Sequence, residues 1–289
     1  MQEVRYVIIT PVRDEQQHVE STIRSVLAQT IRPTEWIVVD DGSRDRTTEI
    51  VGAYARSHSW IRLIKRNNRG FRQSGAGVVQ AFYDGFNQLS TNNWDFVVKL
   101  DGDLNFAPDY FARLFTRFHD DPALGIGGGS VFHDVNGSLK LEKGPRFHVR
   151  GATKVYRRQC WEQLGGLITA PGWDIVDEAK ANLLGWTTAS FDDICIIHQR
   201  YTGTAESKWR DQIKNGKAYY VAGYHPLFMA AKCVYRVTSK PFIFGSGCMA
   251  CGFLSGYLHN HSRVNDRVLV DYIRRQQLRR LLGLRSIWR

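Results

Sequence analysis

The sequence lacks an apolar run that clearly reaches the length of a bilayer-spanning helix, about 20 residues. Residues 241–258 come nearest, because they carry no charge. Glycines interrupt this stretch and weaken a spanning interpretation; they are Gly245, Gly247, Gly252 and Gly256. We therefore expect a re-entrant or interfacial segment, or a buried helical hairpin.

Cysteine is scarce, with five residues in a chain of 289 and no zinc-type array. Cys248 and Cys251 form a Cys-x-x-Cys without a second pair, so we expect small buried side chains there rather than a metal or redox site. The N-terminal segment leads directly into a strand, without a signal-peptide pattern. Reduced cysteines and this start predict a cytoplasmic protein, with peripheral attachment to the cytoplasmic face of the membrane as a further expectation.

Acidic residues are outnumbered, 28 against 39 basic ones, for a net charge of +11. Residues 263–289 contain eight arginines and two aspartates, a net charge of +6. This concentration predicts an anionic partner. Apolar residues recur on one side of the helix predicted here, namely Val264, Val268, Leu269, Tyr272, Ile273, Leu278, Leu281 and Leu282. The pattern is typical of a helix lying on anionic lipid; the alternative is a helix docked on its own domain.

Strand and helix patterns alternate through the first 119 residues, which predicts a doubly wound α/β sheet. Strands are predicted at 4–10, 36–40, 61–64 and 96–100. From residue 120 the pattern changes, with strands expected at 125–132, 146–156, 187–191 and 194–197. We predict a catalytic domain over residues 1–200, made of a nucleotide-binding half (1–119) and an acceptor-binding half (120–200). A helical, basic extension over 201–289 follows.

Two carboxylates, Asp101 and Asp103, follow the apolar strand at 96–100. The carboxyl ends of strands are where open α/β sheets bind ligands. Crowded carboxylates repel each other unless a cation lies between them, and a hard divalent ion carrying a phosphate suits such a pair. The sequence therefore predicts a site for Mg²⁺ or Mn²⁺ at this turn.

A glycine-rich, basic loop at residues 67–77 precedes a predicted helix. It is either a surface loop or a cradle for a phosphate or nucleoside. The cradle would use backbone N–H groups, the helix N-terminus and Arg72.

Four motifs resemble the family 2 glycosyltransferases, which have the GT-A fold. They are Ile-Ile-Thr-Pro-Val-Arg-Asp-Glu at 8–15, Ile-Val-Val-Asp-Asp-Gly-Ser-Arg-Asp-Arg-Thr at 37–47, Asn-Arg-Gly at 68–70 and Lys-Leu-Asp-Gly-Asp at 99–103. The resemblance implies that a sugar moves, with inversion, from a nucleotide-diphosphate donor to a hydroxyl of a carbohydrate or lipid-linked acceptor. A divalent cation and a role in cell-surface polysaccharide or glycolipid synthesis are implied with it.

The same resemblance implies the nucleotide-sugar site. Thr10, Pro11, Arg13 and Glu15 would lie under the nucleoside, and Asp40, with Asp41 beside it, would accept a hydrogen bond from the base. Arg72 and Gly75 would border the nucleotide on the far side. Asp101 would approach the ribose or the metal, and Asp103 would bind the metal.

His198 follows a predicted strand, where GT-A enzymes often carry a histidine that completes the metal site. The resemblance thus suggests His198 as a third metal ligand. The alternative is a hydrogen-bonded histidine at a strand end.

The resemblance also places a general base at Asp174, although this chain has Trp173-Asp174 where many relatives have Glu-Asp. Asp177 and Glu178, one turn further on, are rival candidates. All three could instead cap the helix and compensate its dipole. We expect Trp173, Phe147 and His148 to face the acceptor.

Two other functions fit parts of the sequence. A sugar-nucleotide pyrophosphorylase has a similar sheet but usually opens with a glycine-rich basic loop, where this chain has Thr-Pro-Val-Arg-Asp-Glu. A nucleic-acid-binding module would spread basic and aromatic residues over a recognition surface. Here the charge is concentrated in one terminal segment, so we expect no nucleic-acid partner.

Overall fold

A computed structural model describes residues 4–71, 75–135, 137–142, 144–200, 208–237 and 242–288. The strands are β1 (Tyr6–Val12), β2 (Glu35–Asp40), β3 (Ile61–Lys65), β4 (Phe96–Leu100), β5 (Leu104–Phe106), β6 (Leu124–Val135), β7 (Ser138–Leu141), β8 (Thr153–Arg157) and β9 (Thr187–His198). The helices are α1 (Val19–Leu27), α2 (Thr47–Ser57), α3 (Ala76–Phe86), α4 (Tyr110–Asp120), α5 (Arg158–Leu164), α6 (Trp173–Leu183), α7 (Lys208–Val221), α8 (Pro226–Arg236), α9 (Phe242–Leu258) and α10 (Arg267–Leu281).

The strands form one mixed sheet in the order β3-β2-β1-β4-β8-β6-β9-β5, with β7 on β6. β1 is parallel to both β2 and β4, whereas β8 runs antiparallel to β4. The chain moves outward from β1 to β3 and then returns to the other side of β1 as β4. This reversal creates a switch point at the carboxyl ends of β1 and β4, where open α/β sheets bind ligands.

Helices cover both faces of the central strands. Along β1, Tyr6 and Ile8 pack into one apolar cluster, and Val7 and Ile9 pack into the cluster on the opposite face. Such strands read as continuous apolar runs in the sequence. The prediction of a doubly wound sheet is therefore confirmed.

The second half of the sheet differs in detail from the prediction. The strand expected at 146–156 is limited to β8, and the two strands expected at 187–197 are one strand, β9. A register shift against β6 accommodates the polar interruption. There, the Asp192 carboxylate accepts a hydrogen bond from the Ser130 hydroxyl at 2.6 Å, and Asp193 pairs with Arg117.

The first helix, α1, begins at Val19 and is not capped by the nearby Asp14. Asp14 has a positive φ of 55° and its carboxylate accepts a hydrogen bond from the backbone N–H of Arg44 at 2.8 Å. It therefore joins the loops after β1 and β2 instead of capping α1.

The uncharged stretch at 241–258 contains the single helix α9, so the helical-hairpin prediction is wrong. α9 packs closely on α7. Cys248 is half-buried and Cys251 exposed, which corrects the expected burial of both. Among helices in the described ranges, none combines the length and apolar character needed to cross a bilayer.

α10 does not present its apolar residues on one side. Leu269 and Ile273 are buried in a cluster that also contains Val176 and Ala179 of α6. Val268 and nearby Leu282 are exposed instead. The helix thus docks on its own chain and still leaves apolar side chains in solvent.

Candidate active site

The carboxyl ends of β1, β2 and β4 bring charged residues together at one edge of the sheet. Arg13 follows β1, Asp41 follows β2, and Asp101 and Asp103 follow β4. Gly102 allows the acidic turn to lie against β1, since a Cβ there would be 2.6 Å from Cγ1 of Val12. The local sequence thus places both carboxylates beside the switch point.

Asp101 and Asp103 have different partners. Asp101 pairs with the buried Lys99, and Asp103 Oδ2 lies 3.1 Å from His198 Nε2. Burial and the nearby Asp103 raise the pKa of Asp101, although Lys99 opposes this. Burial alone would raise the pKa of Asp103, but His198 and Arg200 hold it below its usual range.

The end of β9 brings cationic groups to this edge. Pairing of β5 with β9 sets Leu104 opposite His198. Burial alone would lower the pKa of His198, but its hydrogen bond to Asp103 and the nearby carboxylates raise it. Arg200, two residues on, pairs with Glu15 and lies 4.0 Å from Asp103.

Three arginines surround Asp41, a feature that the sequence did not reveal. Arg66 lies 2.5 Å from its carboxylate, Arg69 also pairs with it, and Arg13 lies 3.8 Å away. Arg13 also donates to the Asp41 carbonyl at 2.9 Å and to Asn68 Oδ1 at 3.1 Å. Arg66 also pairs with Asp84 at 2.6 Å, so carboxylates balance part of the positive charge that these arginines bring to the predicted nucleotide site.

Thr10 and Asp40 are engaged within the fold. The buried Thr10 hydroxyl accepts a hydrogen bond from the Trp36 indole at 2.9 Å, and its place under a nucleoside stays a prediction. The Asp40 carboxylate accepts from the Ser43 backbone N–H at 2.8 Å and from the Thr48 hydroxyl. These bonds fix the turn between β2 and α2; the contact of Asp40 with a base stays a prediction.

The far side of the predicted nucleotide site is partly described. Arg72 lies outside the described residues. Gly75 has a φ of 74° and precedes α3, and a Cβ there would lie 3.0 Å from Pro171 Cα. Pro11, at the end of β1, is half-buried. Gly75 thus permits close contact between the glycine-rich loop and the loop that leads into α6.

Two buried lysines connect the acidic turn to α6. Lys99 and Lys154 are paired across β4 and β8, and their ammonium groups lie 5.5 and 5.4 Å from the ring centroid of Trp173. Lys99 pairs with Asp101, while Lys154 donates to the backbone carbonyl of Asp174 at 2.6 Å. Trp173 therefore contacts both of these buried cations.

The three candidate bases on α6 have different surroundings. Asp174 is half-buried in the first turn, whereas Asp177 and Glu178 are buried. Lys154 lies 2.9 Å from Asp177 and 2.8 Å from Glu178, and Tyr156 donates to Asp177 at 2.6 Å. Burial raises the pKa of Asp177 to about 6, with Lys154 opposing. Of the three, Asp174 has the exposure that a base needs.

The aromatic residues expected to face an acceptor are instead used in packing. Trp173 is buried, and the His148 ring lies 2.8 Å from the Glu178 carboxylate. Phe147 packs edge-on against Trp288, at 5.2 Å between ring centroids. The C-terminal segment therefore covers Phe147, one of the three residues that the sequence assigned to the acceptor.

A further group with metal-ligand character adjoins Asp103. His133, Glu142 and His198 offer ligand atoms that all lie within 4.8 Å of one another. His133 and Glu142 belong to no motif of the sequence, because strand register alone brings them to His198.

The sequence profile of the family described as "Glycosyl transferase family 2" matches residues 7–168, more than half of the chain. The chain is 29% identical over 121 residues to dolichol-phosphate mannosyltransferase of Saccharomyces cerevisiae, a match covering 40% of this chain and 42% of the relative. It is also 29% identical over 118 residues to poly-beta-1,6-N-acetyl-D-glucosamine synthase of Staphylococcus aureus, covering 40% and 26%. The matched segment thus spans less than half the length of these relatives.

Solved structures share the fold over nearly the whole chain. The mannosyltransferase PcManGT from Pyrobaculum calidifontis, in complex with GDP-Man and Mn²⁺, superposes with a TM-score of 0.56 at 18% identity, covering 98% of this chain and 76% of that one. TarS 1–349 from S. aureus, in complex with UDP-GlcNAc, gives 0.53 at 16% identity, covering 97% and 80%. The curled mixed sheet is that of the GT-A fold.

Proposed function

Because this chain belongs to glycosyl transferase family 2, we propose that it transfers a sugar from a nucleotide-diphosphate sugar to an acceptor hydroxyl with inversion. The observation that carries the proposal is the Asp101–Asp103 turn at the switch point, with an arginine cluster on one side and Asp174 on the other. Neither a pyrophosphorylase nor a nucleic-acid-binding module finds support in the comparisons.

The donor is proposed to lie along the carboxyl ends of β1, β2 and β4. Arg13, Arg66 and Arg69 supply positive charge near a nucleotide, while Asp41 fixes their positions. Relatives of the fold carry GDP-Man or UDP-GlcNAc, which supports the class of donor. Asp40, Pro11, Glu15 and Gly75 keep their proposed places around the nucleoside.

Asp103 and His198 are the residues that would hold a divalent cation, with Asp101 beside them. Asp103 and His198 fit one, because Asp103 Oδ2 lies 3.1 Å from His198 Nε2, whereas Asp101 is paired with Lys99. Mn²⁺ in the PcManGT complex supports this choice, and Mg²⁺ is the alternative. When bound, the cation would neutralise the negative charge that develops on the leaving diphosphate.

Asp174 is proposed as the base that removes the acceptor proton. In an inverting transfer the acceptor oxygen attacks from the side opposite the leaving diphosphate, so the base belongs on the wall away from Asp101 and Asp103. The first turn of α6 presents a half-buried carboxylate there. The helix dipole favours its ionised form.

The acceptor is proposed to be a carbohydrate or a lipid-linked molecule in cell-surface polysaccharide or glycolipid synthesis. We propose that residues 201–289 act as an extension that attaches the catalytic residues 1–200 to the cytoplasmic face of the membrane. Most large apolar side chains that the described residues expose lie in α8, α9, α10 and the segment after it. Their combination with the arginines of 263–289 suits an anionic lipid surface.

Asp103→Asn tests the donor site. We expect the wild type to bind UDP or GDP more tightly with Mn²⁺ than without it. The variant should lose that metal-dependent gain while keeping its thermal unfolding temperature. Isothermal titration calorimetry measures both affinities, with Asp193→Asn as the control carboxylate, because Asp193 pairs with arginines away from the switch point. Equal affinities with and without Mn²⁺ in both proteins would contradict the proposal.

A further inference from the structure

Two more residues, His133 and Glu142, lie near His198 at the proposed cation site. Pairing of β6 with β9 sets His133 beside His198, and their rings stack with centroids 5.4 Å apart. The backbone N–H of Glu142 donates to the Val131 carbonyl at 2.8 Å, which holds Glu142 next to β6. Glu142 Oε2 then lies 3.2 Å from His133 Nε2.

This arrangement is compact and largely shielded from solvent. The side chains of His133, His198 and Glu142 are 8%, 13% and 23% exposed. Their ligand atoms lie within 4.8 Å of one another, which suits ligands about 2.0–2.2 Å from one ion. Asp103 Oδ2 lies 3.1 Å from His198 Nε2, and Arg150 lies 3.1 Å from Glu142.

We propose that His133 and Glu142 join His198 as protein ligands of the divalent cation beside Asp103, so that the site is rich in nitrogen donors. This inference rests on the proposed function for the place of the cation.

Two consequences follow from this ligand set. Imidazole favours transition metals, whereas Mg²⁺ prefers oxygen ligands and keeps several waters. The chain should therefore bind Co²⁺ and Mn²⁺ more tightly than Mg²⁺. The three grouped ligands, with Asp103 beside them, should also hold the ion without help from a diphosphate, so the metal should bind before the nucleotide.

The test measures metal binding without nucleotide. Isothermal titration of the full chain with Co²⁺, Mn²⁺ and Mg²⁺ should give an affinity for Co²⁺ at least tenfold above that for Mg²⁺. His133→Asn and Glu142→Gln should each weaken Co²⁺ binding by at least about tenfold, since even outer partners of metal ligands contribute 10–100-fold. Exposed His119→Asn and Glu162→Gln are matched controls that should leave the affinity unchanged.

A second measurement uses the wild type alone, in case a variant fails to fold. Substoichiometric Mn²⁺ should broaden the ring-proton resonances of His133 and His198 before those of His119. Simultaneous broadening of all three, or Co²⁺ affinity equal in wild type, His133→Asn and Glu142→Gln, would overturn the ligand set.

The two proposals fail in different ways. Metal-dependent nucleotide binding that needs Asp103 but is indifferent to His133→Asn and Glu142→Gln would overturn this inference and leave the transferase function in place. Co²⁺ binding through His133 in a chain that binds no nucleotide sugar would support the ligand set and overturn the proposed function.

Discussion

At the scale of single residues, the three carboxylates near the start of α6 differ in burial. Asp174 is half-buried, whereas Asp177 and Glu178 are buried. Lys154 holds the Asp174 carbonyl and both buried carboxylates at once. Asp177 and Glu178 thus secure the helix, and Asp174 is the carboxylate that we propose as the base.

Asp174→Asn should reduce turnover by about 10²–10⁴-fold, the usual contribution of a general base. Affinity for the nucleotide sugar should change little, because Asp174 lies on the acceptor side of the site in this proposal. Steady-state kinetics and donor titration measure the two quantities. Exposed Asp109→Asn, in the loop before α4, is the control. Near-normal turnover in Asp174→Asn would place the base elsewhere.

The buried lysine cluster predicts an unusual dependence of stability on pH. Lys154 faces two buried carboxylates, so one added proton makes the group neutral. The pKa of Asp177 is raised to about 6, against 3.8 for the free side chain. The native state therefore binds this proton more tightly than the unfolded state. The stabilisation of the native state by this proton is fully present below about pH 4 and is lost as the pH rises through about 6.

Asp177→Asn should remove this contribution while keeping an oxygen acceptor for Tyr156. Between pH 4 and pH 7, the free energy of unfolding of the wild type, relative to the variant, should fall by on the order of 2–3 kcal/mol. Urea denaturation at a series of pH values measures the difference. A constant difference across that range would show that Asp177 does not titrate there.

Sequence reasoning was effective where the relevant residues are local. The apolar strand and the turn after it placed Asp101 and Asp103, because strand end and carboxylates are neighbours in the chain. His133 and Glu142 were missed, since only the register of β6 with β7 and β9 brings them to His198. The hydrogen bond between Thr10 and Trp36 was also missed, because no local pattern in the sequence indicates it.

At the scale of helices, α7 and α9 approach so closely that glycines are required between them. A Cβ at Gly216 would lie 2.1 Å from the Met249 carbonyl oxygen, and one at Gly252 would lie 2.1 Å from that of Ile213. The glycines that weakened a spanning interpretation of residues 241–258 therefore have a packing role in α9. A packing role for these glycines could not be predicted from the sequence, because the partner helix α7 is distant along the chain.

Gly252→Ala should destabilise the protein by about 1–3 kcal/mol, the usual cost of overpacking, because backbone atoms of α7 cannot move aside. Gly247→Ala is a matched control on the same helix, since nothing lies within 4 Å of a Cβ there. The control should be neutral or stabilising by up to about 1 kcal/mol, through helix propensity. Urea midpoints compare the two, and equal shifts would contradict the close packing.

At the scale of the whole molecule, positive charge and exposed apolar side chains are concentrated in the C-terminal helices. Leu258 is 82% exposed and Leu282 73%. Arg275 and Arg280 are exposed on α10. An anionic membrane would contact both kinds of group, with each arginine contributing on the order of 1 kcal/mol.

Arg275→Glu combined with Arg280→Glu should weaken binding to anionic vesicles at least tenfold without disturbing the buried face of α10. The control makes the same charge change in the N-terminal part of the chain, with Arg44→Glu and Arg56→Glu. Both arginines are exposed. Co-sedimentation with vesicles of phosphatidylserine and phosphatidylcholine measures the affinity. An equal loss of vesicle affinity in the control would show that only the net charge of the protein matters. If the wild type does not bind the vesicles, the proposed membrane attachment is wrong.

The pairing of β9 with β5 also determines when a newly synthesised chain acquires its site. Asp103 precedes His198 by 95 residues. A ribosome therefore completes the acidic turn long before it adds the imidazole and the guanidinium of Arg200. Until β9 emerges and inserts between β6 and β5, the nascent chain carries Asp103 without these two partners. Translation of the last described strand is thus the step that completes the site.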